Sequence, residues 1–205
     1  RVDVLTGGYP CQPFSMAGQR KGEDDERHLW PHVRDAISAL APRVTVLENV
    51  AGHLSLGFGT VVGELSELGY GARWGVVRAS HAGACHQRAR VFVVAYSACS
   101  DWRDTQSELV GSVERSAESG ERFSAFDFGP WQRAVDRWSS VVGRSAPVPF
   151  VKVKSKRKVN PVFVEWMMGL PKGWVTGQGL SASQELKLLG NGVVPQQARL
   201  ALELL

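Results

Sequence analysis

Apolar residues recur along this chain in two rhythms, short runs and stripes at helical spacing, and their alternation predicts an α/β fold. Residues 2 to 6, with Val2, Val4 and Leu5, read as a short buried strand that Gly7 and Gly8 break before the loop Tyr9-Pro10-Cys11-Gln12-Pro13. After a polar stretch from Gly18 to Arg27, Leu29, Val33, Ile37 and Leu40 mark one face of a helix that Pro42 stops. Val44 to Leu47 reads as a second buried strand. Glu48 and Asn49 follow it directly, at the carboxyl edge where open α/β sheets place ligands and catalytic groups. Val61, Leu65 and Leu68 predict a helix closed by Gly69, and Trp74 to Val77 and Val91 to Ala95 predict two more strands.

Beyond Ser97 the rhythm lapses into Ser, Glu, Asp, Arg and Gly as far as about Phe128, which reads as a loop-rich insert. Trp131 to Val142 reads as a helix. Val151 to Val159 interleaves Val with Lys152, Lys154, Lys156, Arg157 and Lys158 without an acidic residue, the pattern of a ribbon that contacts phosphates. Asn160 and Pro161 start a helix carrying Phe163, Val164, Trp166 and Met167, with Gly169 as its stop, and a last helix runs from about Val194 to Leu205. Three parts are expected: an α/β domain over 1–96, a recognition region over 97–159, and a supporting helix with a C-terminal return to the first domain over 160–205.

Composition narrows the class only a little. A chain of 205 residues, 43% hydrophobic and 21% charged, has room for one principal domain and a small second lobe. A net charge of +4 suits a polyanionic partner without requiring one. The three cysteines, Cys11, Cys85 and Cys99, form no Cys-x-x-Cys pair, so neither a disulfide framework nor a structural metal site is expected, and a reducing compartment fits. No apolar run approaches the roughly 20 residues that span a bilayer, so the expectation is a soluble, cytoplasmic protein with no membrane partner. Because Arg1 leads directly into an apolar run, the chain reads as one cut within a fold.

A thiol placed between prolines just beyond a strand suits nucleophilic attack, since loop amides or nearby cations favour the reactive thiolate. Alone, Pro10-Cys11-Gln12 is weak evidence and better describes a buried small hydrophobe. The longer stretch Gly7-Gly8-Tyr9-Pro10-Cys11-Gln12-Pro13-Phe14-Ser15, however, resembles the nucleophile motif of the cytosine-5 DNA methyltransferases. Further matches follow in that family's order: Asp25 to Arg27 with Leu29 and Trp30, Glu48-Asn49-Val50, Arg88-x-Arg90 before a strand, and Gly190-Asn191-Gly192-Val193-Val194-Pro195.

The resemblance implies a Rossmann-like S-adenosylmethionine-dependent methyltransferase sheet, here partial, with a small loop-rich target-recognition lobe, in a prokaryotic or phage-like enzyme of restriction-modification type. It implies that Cys11 adds to carbon 6 of a cytosine flipped out of double-stranded DNA. Glu48, sharing a proton with the base, acts at ring nitrogen 3 and the amino group; Arg90 holds the carbonyl oxygen, with Arg88 nearby on the same side of one strand. Gln12, Ser15 and Asn49 would contact the substrate, Lys152, Lys154 and Lys156 its phosphates, and Pro10, Leu29, Asn191, Gly192 and Val193 the donor S-adenosylmethionine.

This chain departs from the family pattern at Cys85, often Pro, and His86, often Gln. The family's Gly-rich donor loop and the acidic residues that accompany it do not precede Cys11, so a separate or missing N-terminal segment is expected to supply that part of the donor site. Three rival readings stand beside the enzyme. One is a non-catalytic DNA-binding or split-subunit fragment. Another is a tRNA-modifying branch of the family, disfavoured because Ser100 follows Cys99 where a Cys-Phe-Thr hallmark belongs. The last is a thiol hydrolase pairing Cys11 with His28, His32, His53, His81 or His86.

Overall fold

Successive side chains of a strand point to opposite faces of its sheet, and the apolar run near residue 91 uses both. The computed structural model describes residues 2–9, 29–98 and 126–205. In it Val91, Val93 and Ala95 join a core with Trp30, Ile37, Leu47 and Leu65, while Val94 and Tyr96 join a second core with Val44, Val46, Leu202 and Leu205. A strand buried on both sides is the result.

The sheet contains β1 (Val4–Gly7), β2 (Val44–Val50), β3 (Tyr70–Arg78) and β4 (Ala89–Ser97), in the order β1-β2-β4-β3. In sequence, the helix α1 (Trp30–Leu40) lies between β1 and β2, and α2 (Phe58–Glu67) lies between β2 and β3. β1 runs parallel to β2, from Val4 opposite Val44 to Gly7 opposite Leu47, and β4 runs antiparallel to β2, from Val44 opposite Tyr96 to Val50 opposite Arg90. The α/β expectation holds, with a mixed sheet. Two carboxyl ends and one amino end therefore meet at a single sheet edge.

β2 continues three residues past Leu47, because Glu48, Asn49 and Val50 pair with Phe92, Val91 and Arg90. The first helix ends on Ala41 in the left-handed conformation (φ 42°), just ahead of Pro42. Trp30 Nε1 on α1 donates to Glu64 Oε2 on α2 at 2.7 Å, tying the two helices.

By contact density the described residues divide into two compact units: those of Arg1–Val77, Ala89–Ser112 and Leu200–Leu205, which hold the sheet, and those of Arg78–Arg88 and Val113–Arg199. The second unit contains α3 (Gln132–Val142), β5 (Phe150–Val153), β6 (Lys156–Val159), α4 (Pro161–Met167), α5 (Ala182–Asn191) and the start of α6 (Pro195–Leu204). Trp138 and Trp166 are fully buried in its core, and each indole finds a carbonyl: Trp138 Nε1 donates to Trp166 O at 3.0 Å and Trp166 Nε1 to Arg144 O at 3.1 Å. Asn160 caps α4 through Val162 N at 3.1 Å. β5 and β6 form an antiparallel ribbon whose turn residues Lys154 and Ser155 both have positive φ, and every strand residue is exposed.

One element escapes the periodicity. α5 starts at a capping box, Ser181 with Gln184, and its last residues are Gly190 and Asn191, the first two of the Gly190-to-Pro195 motif.

Candidate functional site

Glu48 sits two residue pairs inside the end of β2, and its neighbour directly across on β4 is Phe92. Arg90 is two residues away from Phe92 and so lies on the same face, diagonal to Glu48. The side chains meet, Arg90 Nε to Glu48 Oε1 at 2.9 Å, with 19% and 16% of their surfaces exposed. Such a pair is mostly withdrawn from water yet reachable from one side, which strengthens its field beyond that of a surface pair. The chain leaving β1 passes beside it: a Cβ on Gly8 would stand 3.8 Å from Glu48 Oε2.

The next residue, Tyr9, is anchored by backbone and side chain together. Asn49 Nδ2 donates to Tyr9 O at 3.4 Å, and the Asn49 amide is itself oriented because its Oδ1 accepts from Val50 N at 2.8 Å. The Tyr9 hydroxyl lies 2.6 Å from His53 Nε2, and its ring packs against Trp30 with centroids 5.7 Å apart. Burial drives the Tyr9 phenol far above its ordinary pKa and the charge of Glu48 adds to this, against an opposing hydrogen bond from Asn49. Neither Tyr9 nor His53 stands out in sequence as part of a base-handling site. The available signals are an aromatic directly before Pro10-Cys11 and a histidine just after the Glu48-Asn49-Val50 triplet.

Of the residues singled out from sequence, Pro10, Cys11, Gln12 and Ser15 lie outside the described residues, as do His28 and Cys99. Glu48, Asn49 and Arg90 are brought together as described. Arg88 is not beside Arg90 on one strand face: β4 starts at Ala89, and Arg88 takes a left-handed φ of 35°. Its Nη2 donates instead to Gly190 O at 3.1 Å and to Gly192 O, while Gln197 Nε2 donates to Arg88 O at 2.8 Å. The guanidinium thus clasps the Gly190-Asn191-Gly192 turn, joining two stretches that lie far apart in sequence. His86 Nε2 donates to Met167 O at 2.9 Å, and the half-buried Cys85 thiol is pushed up to about 11 by burial, so it is not a ready nucleophile. Lys152, Lys154 and Lys156 all stand exposed on the ribbon or its turn.

The described residues expected to hold S-adenosylmethionine fall in two stretches, Leu29 and Asn191 to Val193. Leu29, 40% exposed before α1, offers apolar surface. Asn191 is exposed, Gly192 and Val193 are half-buried, and the Gly190 and Gly192 carbonyls are engaged by Arg88. Each stretch by itself offers surface that a ligand could touch, and neither by itself makes a donor site. Among the described residues no cluster of His, Cys, Asp or Glu suits a metal ion, and no helix is long and apolar enough to cross a membrane.

A family model described as C-5 cytosine-specific DNA methylase matches residues 1–121. The chain is 37% identical over 108 residues to Type II methyltransferase M.AplI of Arthrospira platensis, covering 51% of this chain and 31% of that protein. It is 36% identical over 120 residues to M.NgoMIV of Neisseria gonorrhoeae (55% and 38%) and 32% identical over 150 residues to M.NaeI of Lentzea aerocolonigenes (71% and 36%). The chain therefore spans about a third of the length of these curated relatives. Among solved structures, the Entamoeba histolytica methyltransferase EhMeth superposes with a TM-score of 0.59 at 20% identity, over 98% of this chain and 75% of that one. The S. pombe Dnmt2 methyltransferase does so with 0.58 at 16% identity, over 98% and 78%. At such identities the superpositions establish the fold.

Proposed function

The chain belongs to the C-5 cytosine-specific DNA methylase family, and on that footing we propose that it is the base-handling part of an enzyme that methylates carbon 5 of cytosine in double-stranded DNA. The main support is the Glu48–Arg90 pair, 2.9 Å apart at the sheet edge from which β1 leads, through Gly8 and Tyr9, into Pro10 and Cys11. A carboxylate beside a guanidinium presents an acceptor next to donors. The polar edge of cytosine presents an amino donor, ring nitrogen 3 and a carbonyl acceptor, so the two edges are complementary.

Carbon 5 of cytosine does not accept an electrophile readily until a nucleophile adds to the ring. The Cys11 thiolate forms a bond to carbon 6, and the electron pair of the carbon 5–carbon 6 double bond moves to carbon 5 and into the ring. Glu48 accepts from the amino group and shares a proton with ring nitrogen 3, and Arg90 donates to the carbonyl oxygen, so both relieve the developing charge. S-adenosylmethionine, when bound, supplies the methyl group that carbon 5 takes. Loss of the carbon 5 proton to a base then expels the Cys11 thiolate and restores the double bond.

The target atom is buried in a duplex, so the base must be extruded, with Gln12 and Ser15 contacting it and Asn49 holding the segment that carries Cys11. Lys152, Lys154 and Lys156 contact phosphates, within a recognition region spanning 97–159 that 160–205 supports. Arg88 serves from the Gly190–Gly192 turn rather than on the base. Pro10, Leu29, Asn191, Gly192 and Val193 line the donor, and residues outside 1–205 complete its site, since the family's Gly-rich loop has no counterpart here. The same observation favours a second reading, a split subunit that binds DNA and needs a partner for chemistry.

Trapping on duplexes containing 5-fluorocytosine separates these readings, because fluorine at carbon 5 blocks the final proton loss. A stable adduct formed with S-adenosylmethionine and lost in Cys11→Ser is the outcome expected of a self-sufficient enzyme part. An adduct formed only when the donor-binding half of a relative is added in trans points to the split form. Absence of an adduct in both settings overturns the proposal.

A further inference from the structure

A nucleophile works only when its carrier holds it in place, and the residue before Pro10-Cys11 is held unusually well. Tyr9 is 6% exposed and His53 is 1% exposed. His53 Nδ1 lies 2.8 Å from Leu56 O, and a carbonyl can only accept, so this nitrogen carries the proton. In the neutral imidazole the other nitrogen, Nε2, is then an acceptor, placed 2.6 Å from the Tyr9 hydroxyl that donates to it. Phe58 stands edge-on to the His53 ring at 5.7 Å and Trp74 edge-on to Phe58 at 5.5 Å, so the imidazole has an aromatic wall behind it.

Resting on the methyltransferase reading above, we propose that the Tyr9–His53 pair is a positioning latch for Cys11. It fastens the backbone one residue before Pro10 to the short helical turn Ala51–Ser55 that follows β2. Glu48 and Asn49 lie on the same strand just ahead of that turn, so the latch sets the start of the nucleophile segment relative to the groups that hold the base. Plain packing would need only the aromatic ring. The latch needs the hydroxyl and a histidine nitrogen able to accept from it. It also takes both His53 nitrogens, which leaves this histidine unsuited to act as the base of a thiol hydrolase dyad.

The test uses a pool of duplexes randomised around a central 2-pyrimidinone, a base that accepts thiolate addition at carbon 6 without a methyl donor. Adduct rates at saturating duplex, duplex affinity and thermal stability are measured for the unaltered chain, Tyr9→Phe, His53→Leu, His53→Gln and the double variant Tyr9→Phe/His53→Leu. Misplacing a reacting group by a fraction of an ångström is expected to lower the saturated rate about tenfold in Tyr9→Phe and His53→Leu, with duplex affinity unchanged. His53→Gln, whose amide oxygen can accept from the hydroxyl, should recover most of the rate, and the double variant should fall no further than either single one. Rates in Tyr9→Phe within about twofold of the unaltered chain at equal folded fraction would overturn the latch, as would losses in the two single variants that simply multiply. Failure of the unaltered chain to form any adduct, both alone and with the donor-binding half of a relative added in trans, overturns the methyltransferase reading itself, and is thereby told apart from failure of the latch alone.

Discussion

Two buried-side glutamates define two kinds of region in this molecule. Glu165, in the second unit, is fully buried and accepts from Gly173 N, Val175 N, Thr176 N and Thr176 Oγ1, at 2.7 to 2.9 Å. Burial raises its pKa, but these donors together outweigh burial and hold the carboxyl below its ordinary value. Glu48, in the first unit, meets a guanidinium across a strand pair and keeps 16% of its side chain exposed. A carboxylate enclosed by amides of one loop organises that loop. One paired with a cation at a reachable sheet edge is placed to meet a substrate, so that under the proposed function the same residue type serves stability in one unit and chemistry in the other.

The contrast breaks if the two glutamates respond alike to substitution. Glu48→Gln should lower the adduct rate on a saturating duplex by about 10² to 10³, the scale seen when a group that stabilises developing charge is removed, while urea unfolding changes little. A comparable loss of stability instead would assign Glu48 to the scaffold.

Glu165→Gln should do the reverse. Its amide places N–H donors against backbone N–H donors, and the expected cost is about 2–3 kcal/mol in urea unfolding, with the adduct rate per folded molecule retained. The sign with pH follows from the lowered pKa. The stability that ionised Glu165 contributes is fully present above the ordinary carboxylate range near about pH 4 and is lost as pH falls through the folded-state value. Glu165→Gln should accordingly flatten the acid side of the stability profile; an unchanged slope would detach acid sensitivity from this loop.

The exposed ribbon supplies a third response, on affinity alone. Lys152→Ala and Lys156→Ala should each reduce the slope of log affinity against log salt by about 0.9 if each contacts one phosphate, without altering the saturated adduct rate. Smallest of all, Ser181→Ala should cost about 1 kcal/mol through loss of the α5 cap and leave both rate and affinity unaltered.

Which parts of this structure are legible in the sequence depends on how local their causes are. The strands around Val44 and Val91 and the helices around Ile37 and Leu65 follow from apolar spacing, since burial on one or both faces is written directly into residue order. The end of β2 is less legible, because Glu48 to Val50 extend the strand by pairing with β4, forty residues away in the chain. Arg88 is illegible for a similar reason: alternation places it beside Arg90, whereas its left-handed backbone turns it toward Gly190 and Gly192. α5 carries a readable signal in Ser181 and Gln184, which its weak apolar stripe conceals. Glu48, Asn49 and Arg90 are found from motif order, while Tyr9 and His53 emerge only when β1 and the turn after β2 are brought together.

The identity of the attacking thiol tests the account most directly. Trypsin separates the three cysteines onto different peptides, Cys11 on 2–20, Cys85 on 79–88 and Cys99 on 91–103, so mass spectrometry of the chain trapped on a 2-pyrimidinone duplex reads which one carries the base. The account predicts the base on Cys11 alone, with Cys85, its thiol pushed up to about 11, unmodified. A base carried by Cys85 or Cys99 would contradict it.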